Sequence, residues 1–269
     1  MHLKRWITAF VAVPVLATLI YKGPPVVFAL LIALIAVLAI WEYFHIISGG
    51  DKAGILKPVP LAGTAAGLAM IAAALFASLD AMLLFMFFGL LIGALFSMPA
   101  YRYAPQIMDT VAQQAQGIVY IFLPLACLVL LRGGPEGVAW IFFVVFVVFL
   151  GDVGAFYVGT YLGRHKLAPS ISPGKSVEGA IGGLAANIVI AVVFKSLFLP
   201  GLSALHTALF AVAVGLAGQI GDLFESELKR RAKIKDSGGI LPGHGGMLDR
   251  IDALLFASPV AYGFNLFIF

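Results

Sequence analysis

Long apolar stretches follow one another along almost the whole chain and are separated by short polar intervals. A stretch of about 20 mostly apolar residues can cross a bilayer as a helix. The interval 99–116 is more polar and predicts a connection or a short interfacial helix. The pattern therefore predicts an all-α integral membrane protein, a bundle of about nine transmembrane helices. They are expected at about 5–22, 24–44, 58–79, 81–98, 117–132, 136–162, 178–199, 203–224 and 251–269.

Composition supports a membrane protein. Hydrophobic residues make up 62% of the 269 positions and charged residues only 11%, against about 25% charged residues in soluble domains. The single cysteine, Cys127, excludes an internal disulfide and a site with several thiolate ligands. We divide the chain into N-terminal transmembrane helices, 1–135, and C-terminal helices, 136–269, which carry the chemically distinctive residues.

The basic residues predict an orientation, because cytoplasmic loops of membrane proteins are enriched in Lys and Arg. With nine spans and a cytoplasmic N-terminus, only Lys22, Arg132 and Lys195 of the 17 basic residues fall on the opposite side. Topology does not explain why residues 222–252 hold 12 of the 30 charged residues, six of them acidic, since acidic residues contribute little to orientation.

Three polar segments meet on the predicted cytoplasmic side. Asp152 lies deep in the sixth span, where a carboxylate marks either a functional cavity or a structural ion pair. Lys175 lies in the small-residue segment 172–183, which suits phosphate binding and equally an ordinary anchored loop. The third segment, 221–252, combines carboxylates and bases around a glycine-rich turn.

Asp222 and Asp249 abut apolar spans on either side of that turn, whose glycines permit a sharp reversal. Carboxylates without several His or Cys suit Mg²⁺, which is typically bound by one or two carboxylates together with substrate phosphates. We therefore predict metal ligands at Asp222 and Asp249. In a solvated loop, by contrast, the acids and bases would only pair with one another. His244 could be a base, a phosphate donor or a turn residue.

The third segment resembles the signature of the CDP-diacylglycerol synthases, also called phosphatidate cytidylyltransferases: Ser-x-x-Lys-Arg, Lys-Asp, then Pro-x-His-Gly-Gly-x-x-Asp-Arg-x-Asp. The spacing is kept throughout, and Asp152 and the segment SPGKSVEG also resemble features of that family. The resemblance covers about residues 150–255. The signature positions are Ser226, Lys229, Arg230, Lys235, Asp236, Pro242, His244, Gly245, Gly246, Asp249, Arg250 and Asp252.

The resemblance implies that the chain transfers a cytidylyl group from CTP to phosphatidic acid, with Mg²⁺ alone or together with a second cation. It also implies that Asp152 either assists as a metal ligand or lines the cavity that receives the lipid headgroup. It implies an active site that faces the cytoplasm from the inner membrane, within a polar cavity, and no nucleic-acid partner; a homo-oligomer is possible. A CTP-dependent polyprenol or phytol kinase and a transporter are the alternatives. Phosphate binding is expected at Lys175, Lys229, Arg230 and Lys235. The catalytic set is Asp152, Lys175, Asp222, Ser226, Lys229, Arg230, Lys235, Asp236, His244, Asp249, Arg250 and Asp252.

Overall fold

The computed structural model describes residues 13–49, 57–234, 236–238 and 245–268. These residues form nine helices and one two-stranded antiparallel sheet. The helices are α1 (Val13–Lys22), α2 (Pro25–Ile47), α3 (Pro58–Leu75), α4 (Leu79–Tyr101), α5 (Ile107–Gly133), α6 (Gly137–Leu162), α7 (Val177–Phe198), α8 (Ala204–Arg231) and α9 (Leu248–Ile268). The strands are β1 (Lys166–Ala168) and β2 (Ser172–Ser176).

The predicted helical membrane bundle is confirmed. Eight of the described helices, α2 to α9, are long and apolar enough to cross a membrane. Of the first predicted span, the described part is the short apolar helix α1, and residues 5–12 lie outside the described residues. The chain is therefore a multi-pass membrane protein.

The segment 99–116, predicted as a polar connection or a short interfacial helix, is a connection only at residues 102–106. Its first residues end α4, and Ile107–Gly117 begin α5, a helix that continues to Gly133. One of the polar residues of this segment, Gln114, is buried and donates a hydrogen bond to the Gly89 carbonyl at 2.6 Å. A polar side chain that forms a buried hydrogen bond of this kind can lie inside a membrane bundle, so it does not interrupt the helix.

Five residues in the middle of α5, Ile118–Phe122, form a π-helical turn. Such a turn widens the helix locally, because each carbonyl bonds one residue further along than in an α-helix. Beside it, the Tyr43 hydroxyl of α2 lies 3.0 Å from the Gln113 carbonyl and 2.8 Å from Gln116 Oε1. The irregular turn is thus supported by a side chain from a neighbouring helix.

The chain forms two compact units. The first comprises Met1–Gly133 and Arg231–Arg250, and the second Gly134–Arg230 and Ile251–Phe269. These units are groups of residues in contact and do not test the domain boundary that we predicted at residue 135, which stays a prediction. The second unit is built around stacked and edge-on aromatic side chains, which are Trp140, Phe143, Phe194, Phe210 and Phe264.

Candidate active site

Three aspartates of the second unit interact electrostatically with one another. Asp152 lies in α6, Asp222 in the last third of α8, and Asp252 near the start of α9. Asp152 is exposed, whereas Asp222 and Asp252 are half-buried. Because like charges repel strongly where water is scarce, such a group requires cations beside it.

Two lysines supply positive charge at this group. Lys175 Nζ lies 2.7 Å from Asp222 Oδ2, with 26% and 34% of the two side chains exposed. Lys229 pairs with the buried Glu225 one turn earlier in α8 and also interacts with Asp252. The structure therefore brings together Asp152, Lys175, Asp222, Lys229 and Asp252, all of which the sequence singled out.

Lys175 is held by a small hairpin that leads into α7. Strands β1 and β2 pair antiparallel, with Lys166 opposite Ser176. The Ser176 hydroxyl accepts a hydrogen bond from the Gly179 N–H at 3.1 Å and so caps α7. Glu178 accepts the N–H of Arg164 at 3.0 Å and lies 2.5 Å from the Nδ1 of His165. The carboxylate thereby fixes the end of α6 against the start of α7.

Arg230 joins α8 to the same hairpin. Its Nε donates to the Ile171 carbonyl at 3.1 Å, in the turn between the two strands. Across the turn, Lys166 Nζ donates to the Pro173 carbonyl at 2.8 Å. The guanidinium therefore fixes the hairpin relative to the helix that carries Asp222, in addition to the phosphate contacts that the sequence predicts for it.

The helix around Asp152 packs closely on a buried asparagine. Asn187 of α7 is oriented with its amide nitrogen toward two backbone carbonyls. It donates to the Val147 carbonyl at 2.6 Å and to the Gly183 carbonyl at 3.3 Å. A side chain at Gly151 in α6 or at Gly215 in α8 would collide with the Asn187 amide. The residue before Asp152 is glycine because three helices meet there around one polar side chain.

We expect Gly151→Ala to destabilise the protein by about 1–3 kcal/mol, the usual effect of overfilling a packed interior. Thermal unfolding in detergent measures this loss. Gly263→Ala in α9 is the matched control, because a Cβ there meets no atom within 4 Å and alanine favours a helix more than glycine does. Equal unfolding temperatures for the two variants would contradict the packing described for Asn187.

In the first unit, Asp249 organises the segment that precedes α9. Its Oδ2 accepts hydrogen bonds from the Ser237 N–H at 3.0 Å and from the Gly246 N–H at 2.9 Å. Gly245 adopts a φ of 81°, which favours glycine, and a Cβ there would lie 2.9 Å from the same Asp249 oxygen. Asp249 thus has a structural task besides the metal ligation predicted for it.

Glu42 in α2 is a buried carboxylate that the sequence reasoning missed. It is fully buried and accepts hydrogen bonds from the Ser237 hydroxyl and from the N–H groups of Met247 and Leu248. The available signal was a carboxylate inside an otherwise apolar span, which by default indicates function. The same signal was used for Asp152.

The remaining predicted site residues are placed as follows. Ser226 is half-buried and lies one turn after Asp222 in α8. Asp236 and Arg250 are exposed. Lys235 and His244 lie outside the described residues, so the structure leaves their predicted roles as predictions.

The donor set is compatible with Mg²⁺. Within the described residues, no group of three or more His, Cys, Asp or Glu side chains could hold a metal by itself. Mg²⁺ is usually bound by one or two carboxylates and completed by substrate phosphates and water. Asp222, with Asp152 or Asp252 beside it, offers hard oxygen ligands of this kind, and the neighbouring lysines suit phosphates.

Comparison with known proteins relates almost the whole chain to a family. The family model described as "Cytidylyltransferase family" matches residues 3–268. The chain belongs to the cytidylyltransferase family. The match includes the N-terminal helices, whereas the resemblance seen in the sequence covered only about residues 150–255, and it confirms that resemblance.

Curated relatives of this cytidylyltransferase-family chain carry the name phosphatidate cytidylyltransferase. The protein from Bacillus subtilis (strain 168) is 44% identical over 126 residues, which are 47% of each chain. Those from Staphylococcus saprophyticus and Staphylococcus aureus (strain COL) are 42% and 41% identical over 125 residues, which are 46% of this chain and 48% of theirs. In these comparisons the chain spans about half the length of the curated relatives it matches.

Proposed function

We propose that the chain is a phosphatidate cytidylyltransferase, which makes CDP-diacylglycerol and pyrophosphate from CTP and phosphatidic acid. The observation that carries this proposal is the ion pair of Lys175 with Asp222 beside Asp152 and Asp252, in a chain of the cytidylyltransferase family. Such a mixture of carboxylates and lysines suits a reaction between two polyanions at the membrane.

The proposed reaction needs no nucleophile from the protein. A phosphate oxygen of the lipid bonds to the α-phosphorus of CTP. The bond from that phosphorus to the oxygen that bridges to the β-phosphate breaks, and pyrophosphate leaves with the electron pair. Phosphoryl-type transfer of this kind depends mainly on positioning and charge stabilisation. Ser226 is accordingly assigned to the binding surface of α8 and is not the nucleophile.

The bases of the site bind the substrate phosphates in this proposal. Lys175 exchanges Asp222 for a phosphate oxygen when the substrate enters, because both the carboxylate and the phosphate are anionic partners for one ammonium group. Lys229 and Arg230 bind further phosphate oxygens from α8, and Lys235 is assigned the same role on the signature alone. Charge-assisted hydrogen bonds of this type are the strong ones in such sites.

Mg²⁺ is the metal that we propose for the reaction. Asp222 would hold it together with Asp152 or Asp252, and the signature adds Asp249 as a further predicted ligand. When bound, the ion neutralises charge on the phosphates of CTP and on the leaving pyrophosphate. The carboxylates would hold the ion in a fixed position at the edge of an apolar helix bundle.

We propose that the site faces the cytoplasm, where CTP is found. Two contacts of the first unit support the predicted grouping of helix ends on common sides. Arg132 donates to the Gly23 carbonyl at 3.0 Å, which joins two positions predicted on the outer side. Glu42, near the end of α2, bonds the residues that begin α9, and both ends are predicted on the cytoplasmic side.

The test uses the purified full chain in detergent with labelled CTP, phosphatidic acid and Mg²⁺. We expect label from the cytidine to appear in the lipid fraction, and pyrophosphate to form in equal amount. CDP in the aqueous phase together with a phosphorylated alcohol, when a polyprenol or phytol is supplied, would indicate the CTP-dependent kinase instead. Absence of any turnover of CTP with either lipid would overturn the proposal.

A further inference from the structure

Glu42 is a buried carboxylate that the proposed reaction does not use directly. It lies in the last two turns of α2, and none of its surface is exposed. A carboxylate in such a place is unfavourable unless hydrogen bonds replace the water that it has lost. Its partners therefore indicate what the residue does.

Both oxygens of Glu42 accept hydrogen bonds from one short part of the chain. Oε1 accepts the Met247 N–H at 3.0 Å, and Oε2 accepts the Leu248 N–H at 2.8 Å and the Ser237 hydroxyl at 3.0 Å. Leu248 is the first residue of α9, where backbone N–H groups have no partner within the helix. Glu42 thus caps α9 from a helix about 200 residues earlier in the sequence.

The glycines of this segment are fitted to Glu42. A Cβ at Gly238 would lie 2.5 Å from Glu42 Oε1, and one at Gly246 would lie 2.5 Å from Oε2 and would also collide with the Ser237 hydroxyl. Real Cβ atoms do not come so close to an oxygen. Part of the glycine-rich character of the segment is therefore required by the approach of a distant carboxylate.

Ser237 connects Glu42 to Asp249. The Ser237 hydroxyl donates to Glu42, while its N–H donates to Asp249 Oδ2 and its Oγ accepts the Asp249 N–H at 3.4 Å. Gly246 N–H also donates to Asp249. Glu42 and Asp249 consequently bind the same backbone from two directions, and Asp236 and Arg250 are the next residues along the chain.

We propose that Glu42 is a positioning residue, which holds Ser237, Met247 and Leu248 in the positions that present the signature residues Asp236, Asp249 and Arg250 to the substrates. This inference rests on the proposed function. Glu42 itself does not contact substrate. Its role is carried out through the backbone N–H groups and the Ser237 hydroxyl that it binds.

Glu42→Gln tests the role of the two acceptor oxygens at nearly constant size. In either orientation the amide NH₂ faces a backbone N–H, of Met247 or of Leu248, so at least one hydrogen bond is lost. We expect kcat to fall roughly 10- to 100-fold, with the KM for CTP changed much less. Hydrogen exchange followed by mass spectrometry should show faster exchange of the amides at 246–249 and not of the other helices.

Gln114→Leu is the matched control. Gln114 is a buried hydrogen-bonding side chain of the same unit, but it bonds Gly89 between α5 and α4. This variant should lower the unfolding temperature while leaving exchange at 246–249 and kcat per folded molecule near their wild-type values. Ser237→Ala completes a double-mutant cycle with Glu42→Gln. The decrease in kcat caused by Glu42→Gln should be smaller in the Ser237→Ala background, because one of the three hydrogen-bond donors to Glu42 is already absent.

The outcomes separate the inference from the function on which it rests. If the wild-type chain shows no cytidylyl transfer, the proposed function fails, and local exchange at 246–249 still reports whether Glu42 holds this backbone. Wild-type kcat in Glu42→Gln would overturn the positioning role. Faster exchange throughout the chain, with kcat per folded molecule unchanged, would also overturn it and make Glu42 a residue of general stability.

Discussion

Asp222→Asn is expected to reduce kcat at least ~1000-fold, equivalent to about 4 kcal/mol of transition-state stabilisation. Asp222 interacts electrostatically with both Asp152 and Asp252, and its Oδ2 lies 2.7 Å from Lys175 Nζ. Asparagine keeps the size of the side chain but removes the charge that would bind a cation. The rate of CDP-diacylglycerol formation at several Mg²⁺ concentrations measures the effect.

The control is Glu227→Gln, which neutralises an exposed carboxylate of the same helix and should leave the rate nearly unchanged. A double variant separates the charge of Asp222 from its pairing with Lys175. If the loss in Asp222→Asn arises only because Lys175 is left without its partner, Asp222→Asn combined with Lys175→Met should recover activity. Recovery to within tenfold of the wild-type rate would contradict a direct role for Asp222.

Lys175→Met is expected to lower kcat/KM for CTP about 100-fold, or about 2.7 kcal/mol. The ammonium group lies 2.7 Å from Asp222 Oδ2, and the hairpin and the capped start of α7 fix its position. Methionine keeps the stem and removes the charge. Initial rates over a range of CTP concentrations, at saturating phosphatidic acid, measure the loss.

Lys195→Met is the matched control, because Lys195 lies in the last turn of the same α7 at the end predicted to face the other side of the membrane. It should leave kcat/KM within about twofold of the wild-type value. Lys175→Arg restores the charge and should recover part of the activity. Equal losses at both lysines would show that only the stability of α7 was changed.

The second unit was predictable because its site residues lie in continuous segments with helical spacing. Asp222, Ser226 and Lys229 recur at intervals of four and three, and α8 continues to Arg231, so these residues share one helical face. Lys175 was recognised by its small neighbours, although its partner was not. The ion pair with Asp222 joins residues 47 positions apart, a distance over which spacing gives no information.

Glu42 and Gln114 could not be placed by periodicity. Each is a polar residue whose partners come from elsewhere in the chain, 195 residues away for Ser237 and 25 for Gly89. A polar residue near an apolar span was interpreted as the end of that span at 99–116. The Gln114 amide nitrogen donates to the Gly89 carbonyl, and Gly63 and Gly93 leave room for the side chain, so the helix includes it.

The π-helical turn at Ile118–Phe122 has a consequence for the angular phase of α5. One additional residue in a helix rotates everything that follows by about 100° around the axis. The turn thus rotates the side-chain directions of the second half of α5 relative to the first half. Before the turn Gln114 contacts Gly89, and after it Arg132 contacts Gly23. A single-residue deletion within 118–122 would straighten the helix into an ordinary α-helix. It would turn Arg132 away from Gly23 and so disconnect the end of α5 from the α1–α2 connection.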